Sequence, residues 1–315
     1  MPLQPLANHI LGTQAADEHV YLVGRPPVAD YLGYIATHTL EGQSLDRRVL
    51  MDQWRVANDH IRELERTEAG IADGVATEPL PEPLATHAAT LLADPSVANT
   101  YSAIPCEIEM VELDRLVVFQ KHVNLAYVED LTHRLPEDAT DQQVFDFALP
   151  SDGRYDAPVQ AGPVGQNAFG FTSPSTDLRV LDLRMIDPRA VAGVGSSGRP
   201  AAILALVVGY GSNLLSAVRA EGRLVLFNGS HRAYALRAAG HTHTPCLIQN
   251  ASRRDELDLV SPEIQQRIGL YLEEPRPPVL KDYFDERLRL IVHVPRSRRQ
   301  VQVAINHQVL EVPDA

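Results

Sequence analysis

Cysteine, long apolar runs and N-terminal basic charge are all scarce in this sequence. Only two of the 315 residues are cysteines, Cys106 and Cys246, so a disulfide scaffold is excluded and two buried thiols are predicted. The apolar runs fall short of the roughly 18 residues that span a bilayer, and no basic segment precedes an apolar stretch at the N-terminus. These absences predict a cytoplasmic protein with no membrane partner.

Positive charge is scarce in the first half of the chain. Residues 1–150 hold 9 Lys and Arg against 24 Asp and Glu, whereas residues 151–315 hold 19 against 17. The net charge of −13 argues against DNA as a partner, because affinity for a duplex comes mainly from neutralising its phosphates. The asymmetry indicates two regions with different roles, and we interpret the acidic region as a docking or dimerisation module. A homodimer is therefore one expected state.

The hydrophobic patterning predicts an α+β fold in three segments. Residues 1–100 are predicted to be a helical, acidic N-terminal region that follows an irregular stretch over residues 1–27. Residues 101–255 are predicted to form a mixed domain with an insertion near 135–176, where Asp, Pro and Gly are frequent. Residues 256–315 are predicted to form a helix and then a C-terminal β-hairpin, whose arms alternate in hydropathy.

The most specific signal is residues 224–249, which read LVLFNGSHRAYALRAAGHTHTPCLIQ. An apolar strand runs into a turn, a helix follows, and Gly240 marks the end of that helix. The turn has the chemistry of a phosphate site, because a glycine allows close approach and a helix N-terminus attracts anions. A serine can cap the helix, an arginine can grip phosphate with two N–H groups, and a histidine can donate or accept. The predicted binding residues are Asn228, Gly229, Ser230, His231 and Arg232. The alternative interpretation is a capped helix with an incidental His-Arg pair.

This segment resembles the ParB/sulfiredoxin superfamily, whose members carry a Gly-x-His-Arg or related turn followed by a helix, a glycine and a Pro-led strand. An earlier segment, Val111-Glu112-Leu113-Asp114-Arg115-Leu116 with Phe119-Gln120, is similar to the strand and loop that open that fold. We call this segment the first box, and the segment with the Gly-x-His-Arg turn the second box. The two boxes cover residues 110–132 and 202–249, which is less than half of the chain. The resemblance implies a small mixed α/β core that binds a nucleotide phosphate at the Gly-x-His-Arg turn.

The activities of this superfamily make different demands on the residues. Sulfiredoxin chemistry needs a cysteine before the His-Arg pair, where this chain has Ser230. Partition proteins, which bind CTP and DNA, need a helix-turn-helix that residues 259–285 do not suggest. Serine-kinase members need a carboxylate base near the first box, and this chain has Gln120 at the comparable loop. Glu112 and His122 are the substitutes we select, with His231 as a third catalytic candidate; Asp114 and Glu129 stay open.

The function that follows is phosphoryl transfer from ATP or ADP with Mg²⁺ to a small molecule or peptide. No metal site made of protein side chains is predicted. The rival from another class is a non-catalytic member of the fold that binds a peptide or protein, and a CTP-switched DNA binder ranks below both. A glycine-rich turn, Gly209-Tyr210-Gly211-Ser212-Asn213, is predicted to line the same pocket through Ser212 and Asn213.

Overall fold

The chain has the predicted α+β class, and the computed structural model describes residues 15–150, 157–175, 177–191, 193 and 198–311. Contacts group the chain into two units. Unit 1 comprises residues 1–152 and 213–296, and unit 2 comprises residues 153–212 and 297–315. In the described part of the chain, no helix combines the length and the apolar character needed to cross a membrane.

All the α-helices of the described residues lie in unit 1, mostly where apolar residues recur with the helical period. Within α2, for example, Leu50, Ala57 and Ile61 are buried, while the opposite face is charged. The helices are α1 (Val28–His38), α2 (Arg47–Thr67), α3 (Glu82–Ala93), α4 (Pro95–Thr100), α5 (Leu125–Thr132), α6 (Asp141–Ala148), α7 (Ser230–Ala238), α8 (Leu257–Val260) and α9 (Pro262–Gln266).

The strands build two sheets in each unit. They are β1 (Ala16–Leu22), β2 (Cys106–Glu112), β3 (Val117–Val118), β4 (His122–Asn124), β5 (Gln160–Gly165), β6 (Ala168–Ser173), β7 (Arg179–Ile186), β8 (Ile203–Gly209), β9 (Ser216–Ala220), β10 (Arg223–Asn228), β11 (His243–Asn250), β12 (Arg289–Pro295) and β13 (Arg299–Ala304).

Unit 1 contains a five-stranded mixed sheet and a three-stranded antiparallel sheet. The five strands lie in the order β2-β11-β9-β10-β3, with β10 parallel to β3 and β11 parallel to β9. The three strands lie in the order β12-β1-β4. One buried cluster packs β1 and β12 against α1 and α2, and another packs β3, β9 and β10 against residues 257–279. Burial of these apolar side chains is the main stabilising term for the unit.

Unit 1 is built from two stretches of chain whose junctions meet. The N–H of Leu215 donates to the carbonyl oxygen of Ala148 at 2.9 Å. The chain therefore returns to unit 1 next to the place where it left. Unit 2 holds the antiparallel sheet β13-β6-β5 and the two-stranded ribbon β7-β8.

The predicted C-terminal hairpin is wrong, although both of its arms are strands. β12 pairs with β1 from Ala16↔Pro295 to Leu22↔Arg289, and β13 pairs with β6 in the other unit. The connection between the arms is Arg296-Ser297-Arg298, which lacks the Gly or Asn that a tight hairpin turn needs. Long-range pairing decides the outcome instead.

Three other expectations differ from the structure. The segment predicted to be irregular, 1–27, contains β1, and its residues 1–14 lie outside the described residues. The helix predicted at the start of residues 256–315 is divided into α8, α9 and a π-helical turn, Gly269–Glu273, because Pro262 supplies no N–H to a continuous helix. The predicted insertion, 135–176, contributes α6 to unit 1 and β5 and β6 to unit 2, while residues 151–156 and 176 are not described.

Candidate functional site

The turn between β10 and α7 requires glycine, as the sequence suggests. Gly229 has φ +86°, and a Cβ there would lie 2.8 Å from the Cα of Leu215. Its N–H donates to Oδ1 of Asn228 at 2.8 Å, which closes the turn before the helix. The predicted strand, turn and helix are confirmed, and Gly240 follows the helix with φ +92°. Side chains other than glycine are excluded at the turn both by φ and by space.

Ser230 and Arg232 point into the protein rather than to an open pocket. Gly229 occupies the N-cap position of α7, so the predicted capping by Ser230 is wrong, and Ser230 is buried in the first turn. Arg232 is 2% exposed. Its Nη1 donates to the carbonyl oxygen of Asn213 and, at 2.6 Å, to Oδ1 of the same residue. Arg232 therefore connects α7 to the segment that enters β9. The turn predicted over 209–213 is not found, because Gly209 ends β8 and Asn213 lies in an irregular segment.

His231 brings the two sequence boxes together. Its Nε2 accepts a hydrogen bond from the backbone N–H of Asn124 at 3.1 Å, and its ring meets Tyr127 edge-on with centroids 5.1 Å apart. Asn124 is itself the N-cap of α5, where its Oδ1 accepts from the N–H of Tyr127 at 3.0 Å. The start of α7 thus packs against the start of α5.

His231 belongs to a histidine cluster that also contains His19 and His122. β4 pairs with β1, and the Nδ1 atoms of His19 and His122 lie 3.0 Å apart, so one ring donates to the other. Burial lowers the pKa of His122 to about 4 and the pKa of His231 to about 3, and repulsion between the rings adds to both shifts. Burial lowers the pKa of His19 as well. The cluster is therefore neutral at pH 7 and supplies no positive charge for a phosphate.

We predict that this cluster makes the fold sensitive to mild acid. A histidine whose pKa is lower in the folded state contributes stability above its unfolded pKa, near 6.5, and loses that stability as the pH falls toward the folded value. Between about pH 7.5 and about pH 5 the free energy of unfolding should fall by about 4 kcal/mol, about 2 kcal/mol for each of His122 and His231. Urea unfolding at several pH values measures this slope.

The control for this acid sensitivity is an exposed histidine. His231→Gln should flatten the slope, because the amide oxygen can still accept the Asn124 N–H while the ring is removed. His133→Gln changes an exposed residue and should leave the slope as it is. An equal slope in wild type and His231→Gln would show that the cluster does not govern the response.

Glu112 is not part of the histidine cluster. It ends β2, and two strands, β11 and β9, separate β2 from β10. Its carboxylate lies 3.7 Å from Nη1 of Arg115, while Asp114 accepts from Nε of Arg237 at 2.6 Å. Among the predicted catalytic residues, only His122 and His231 come together. The carboxylate that does reach this region is Asp17, which accepts from Nδ2 of Asn124 at 3.2 Å and lies in the stretch predicted to be irregular.

A cation-lined cavity, which the sequence did not indicate, lies in unit 1. It is a small, half-open cavity of about 30 Å³, and Arg25, Lys121 and Arg267 lie on its walls together with Phe119 and Tyr271. The loop Phe119–Lys121 is held in place because Tyr283 Oη donates to the carbonyl of Gln120 and Leu22 N–H donates to that of Lys121. The cavity itself has room for about one water molecule, so an anion such as a phosphate group would bind at its mouth, within reach of the basic side chains.

The charges at this cavity are only partly balanced. Asp30 lies 3.8 Å from Nζ of Lys121 and 3.1 Å from Nη2 of Arg267. Nη1 of Arg25 lies 3.3 Å from Glu65, whereas its Nε and Nη2 are buried without a hydrogen-bond partner among the described residues. Lys121 and Arg267 thus share one carboxylate, and Arg25 forms its ion pair through one of its three nitrogens. No sequence motif joins these cations, because they come from three distant segments.

Neither cysteine has the environment of a reactive thiol. Cys246 is fully buried in β11, and burial raises the pKa of its thiol well above the usual range. Burial also raises the pKa of Cys106. Within the described ranges, no group of three or more His, Cys, Asp or Glu side chains is placed to hold a metal ion. The buried thiol predicted at Cys246 is confirmed, and Cys106 is partly exposed.

Comparison with known proteins gives no family for this chain. No family model, curated protein or solved structure matches this chain. The resemblance to the ParB/sulfiredoxin superfamily therefore stays a prediction that rests on the two boxes.

Proposed function

We propose that unit 1 binds a phosphate-bearing ligand of the nucleotide class at the carboxyl edge of β3 and β10. The observation that carries this proposal is the cavity with Arg25, Lys121 and Arg267 on its walls. The two strands are parallel, with Val117 opposite Val225 and Val118 opposite Leu226, so their carboxyl ends share one edge of the sheet. The cavity loop follows β3 and the Gly229 turn follows β10. Ligands of open α/β sheets bind at this edge.

The proposed contacts differ from those that the motif alone suggests. Arg232 is buried and bound to Asn213, and His231 is neutral, so we assign the phosphate contacts to Lys121 and Arg267 at the cavity. ATP or ADP is the ligand that the resemblance implies. The cavity walls fit phosphate better than a metal ion, because Asp30, the carboxylate beside them, is already paired with two cations. Mg²⁺ would arrive on the nucleotide and neutralise its phosphates.

Phosphoryl transfer to a small molecule or peptide is the second part of the proposal. The hydrogen bond from Asn124 to His231 supports it, because it joins the two boxes that the enzymes of the superfamily use. The base remains unassigned. Glu112 lies in a distant strand, and the low pKa values of His122 and His231 make them weak proton acceptors at pH 7. The lack of an assigned base favours the rival proposal, in which the protein is a member of the fold that binds its ligand or a peptide without turnover.

Calorimetric titration of ATP, ADP and CTP with Mg²⁺ into the full chain tests the binding proposal. We expect Lys121→Ala and Arg267→Ala each to weaken binding about tenfold or more, since each removes a charge-assisted contact to phosphate. The matched control is Arg62→Ala on α2, whose side chain is 70% exposed and far along the sequence from the cavity loop. Equal affinity in all four proteins would contradict the proposal.

Release of ADP or of labelled phosphate in the same samples separates an enzyme from a binding protein. Binding with turnover supports phosphoryl transfer, and binding without turnover supports the rival. A preference for CTP with salt-dependent affinity for duplex DNA would favour the third hypothesis, a CTP-switched DNA-binding protein. We also propose that the protein is cytoplasmic.

A further inference from the structure

The ribbon in unit 2 exposes an apolar face. β7 and β8 form a two-stranded sheet, and no third strand joins it within the described residues. Met185 is paired with Leu204, and Leu183 with Leu206, so these four side chains share one face. Leu183, Met185 and Leu204 are 58%, 66% and 61% exposed. A two-stranded ribbon is only marginally stable alone, and an apolar face of this kind marks a contact surface.

The free edge of β7 is complementary to itself. The strand and the residue that follows it read Arg-Val-Leu-Asp-Leu-Arg-Met-Ile-Asp over residues 179–187. When a second copy is laid antiparallel with Leu183 facing Leu183, Asp182 of each copy faces Arg184 of the other. Leu181 of each copy comes opposite Met185 of the other. Beyond Leu181 the bulge between Val180 and Asp182 shifts the faces of the strand, so the complementarity is confined to residues 181–185. Opposite charges directly across an antiparallel pair are stabilising, and like charges are destabilising.

We propose that two copies of this chain dimerise by antiparallel pairing of their β7 strands about Leu183. The product is a four-stranded sheet in the order β8-β7-β7-β8, with the apolar side chains of both ribbons on one continuous face. The contact is isologous, because each copy offers the same patch, and it closes after two subunits. It also covers the open edge of β7, which would otherwise attract other strands. The irregularity between Val180 and Asp182 lies outside the central pairs around Leu183.

Charge reversal within the central pairs tests this dimer. Arg184→Asp places a carboxylate opposite each Asp182, and Asp182→Arg places a guanidinium opposite each Arg184. Either change replaces two attractive pairs by two repulsive ones, and we expect dimerisation to weaken about 10- to 100-fold. The double variant, Asp182→Arg with Arg184→Asp, restores both attractive pairs and should dimerise like wild type. Arg62→Asp on α2 is the matched control for a charge reversal elsewhere.

Sedimentation equilibrium of the full chain measures these states. Mixing the two single variants should form a heterodimer, since each then faces its opposite charge. A wild type that is monomeric at high micromolar concentration overturns the proposal, and so do single variants that dimerise as wild type does. Failure of both the double variant and the mixture to restore the dimer also overturns it, provided that circular dichroism shows folded protein.

The register has a separate test by cross-linking in a Cys106→Ser background. Leu183→Cys places the same thiol on both sides of the two-fold axis, and oxidation should link two chains. Val180→Cys is the control, because Val180 lies three residues from the two-fold axis and does not face its own copy in the partner. Linkage at position 183 alone supports the register, and equal or absent linkage at both positions rejects it. This proposal is independent of ligand binding in unit 1.

Discussion

Arg276→Ala is expected to lower the free energy of unfolding of this chain by about 3–5 kcal/mol. The guanidinium is 1% exposed and forms a two-pronged pair with Asp282, in which Nη2 lies 2.6 Å from Oδ1 and Nη1 bonds to Oδ2. Nη2 also bonds to Glu68 at 3.0 Å. Removing the cation leaves the buried carboxylate of Asp282 without its counter-charge, which is the costly way to break a buried pair.

Denaturant unfolding at neutral pH measures the loss at Arg276. The control is Arg287→Ala, because Arg287 is 43% exposed and its ion pairs with Glu63 and Asp285 lie at 3.4 and 3.8 Å. Exposed pairs of this kind contribute about 0–1 kcal/mol. Similar losses for the two variants would mean that the Arg276 network does not hold the C-terminal end of α2 to the segment before β12.

Arg232→Ala should be destabilising as well, by about 2–4 kcal/mol, and this changes how the motif is tested. The substitution removes a buried cation that donates to Asn213 through Nη1 and leaves space beneath α7. Asn213→Ala keeps the backbone oxygen as a partner and should cost only about 1 kcal/mol. Thermal and denaturant unfolding of both variants check the order.

A loss of nucleotide binding in Arg232→Ala would therefore not by itself identify a phosphate ligand. The cavity variants at Lys121 and Arg267 separate the two effects, since both side chains are partly exposed. If Arg232→Ala unfolds like wild type, its contacts with Asn213 contribute little to stability.

Local signals in the sequence predict the elements near the motif. The run from β10 through Gly229 to α7 and Gly240 depends on backbone requirements of residues close together, and the structure contains it. The same kind of signal finds the helices of the N-terminal region. The fold class and the local backbone geometry can be predicted from hydrophobic periodicity, helix capping and the positions of glycines, all of which act over a few residues.

The partners of the strands follow from contacts between distant residues, and there the sequence analysis fails. β12 alternates like one arm of a hairpin but pairs with β1, more than 260 residues away. Glu112 has the residue type for a base and lies in the first box, but the order of strands places it at the opposite side of the sheet. The cavity unites Arg25, Lys121 and Arg267, and one sequence gives no signal for such a set. The same limitation hides His19 beside His122.

The hydrogen bond between Leu215 and Ala148 has a consequence for how the chain accommodates unit 2. It holds together the two ends of the chain segment between these residues. From the side of unit 1, that segment is therefore a closed loop. The entropy of closing a flexible loop grows only with the logarithm of its length, and doubling the length costs about 0.6 kcal/mol. Length changes between Ala148 and Leu215 therefore cost unit 1 little, and the sheet that carries the Gly229 turn can keep its geometry through them.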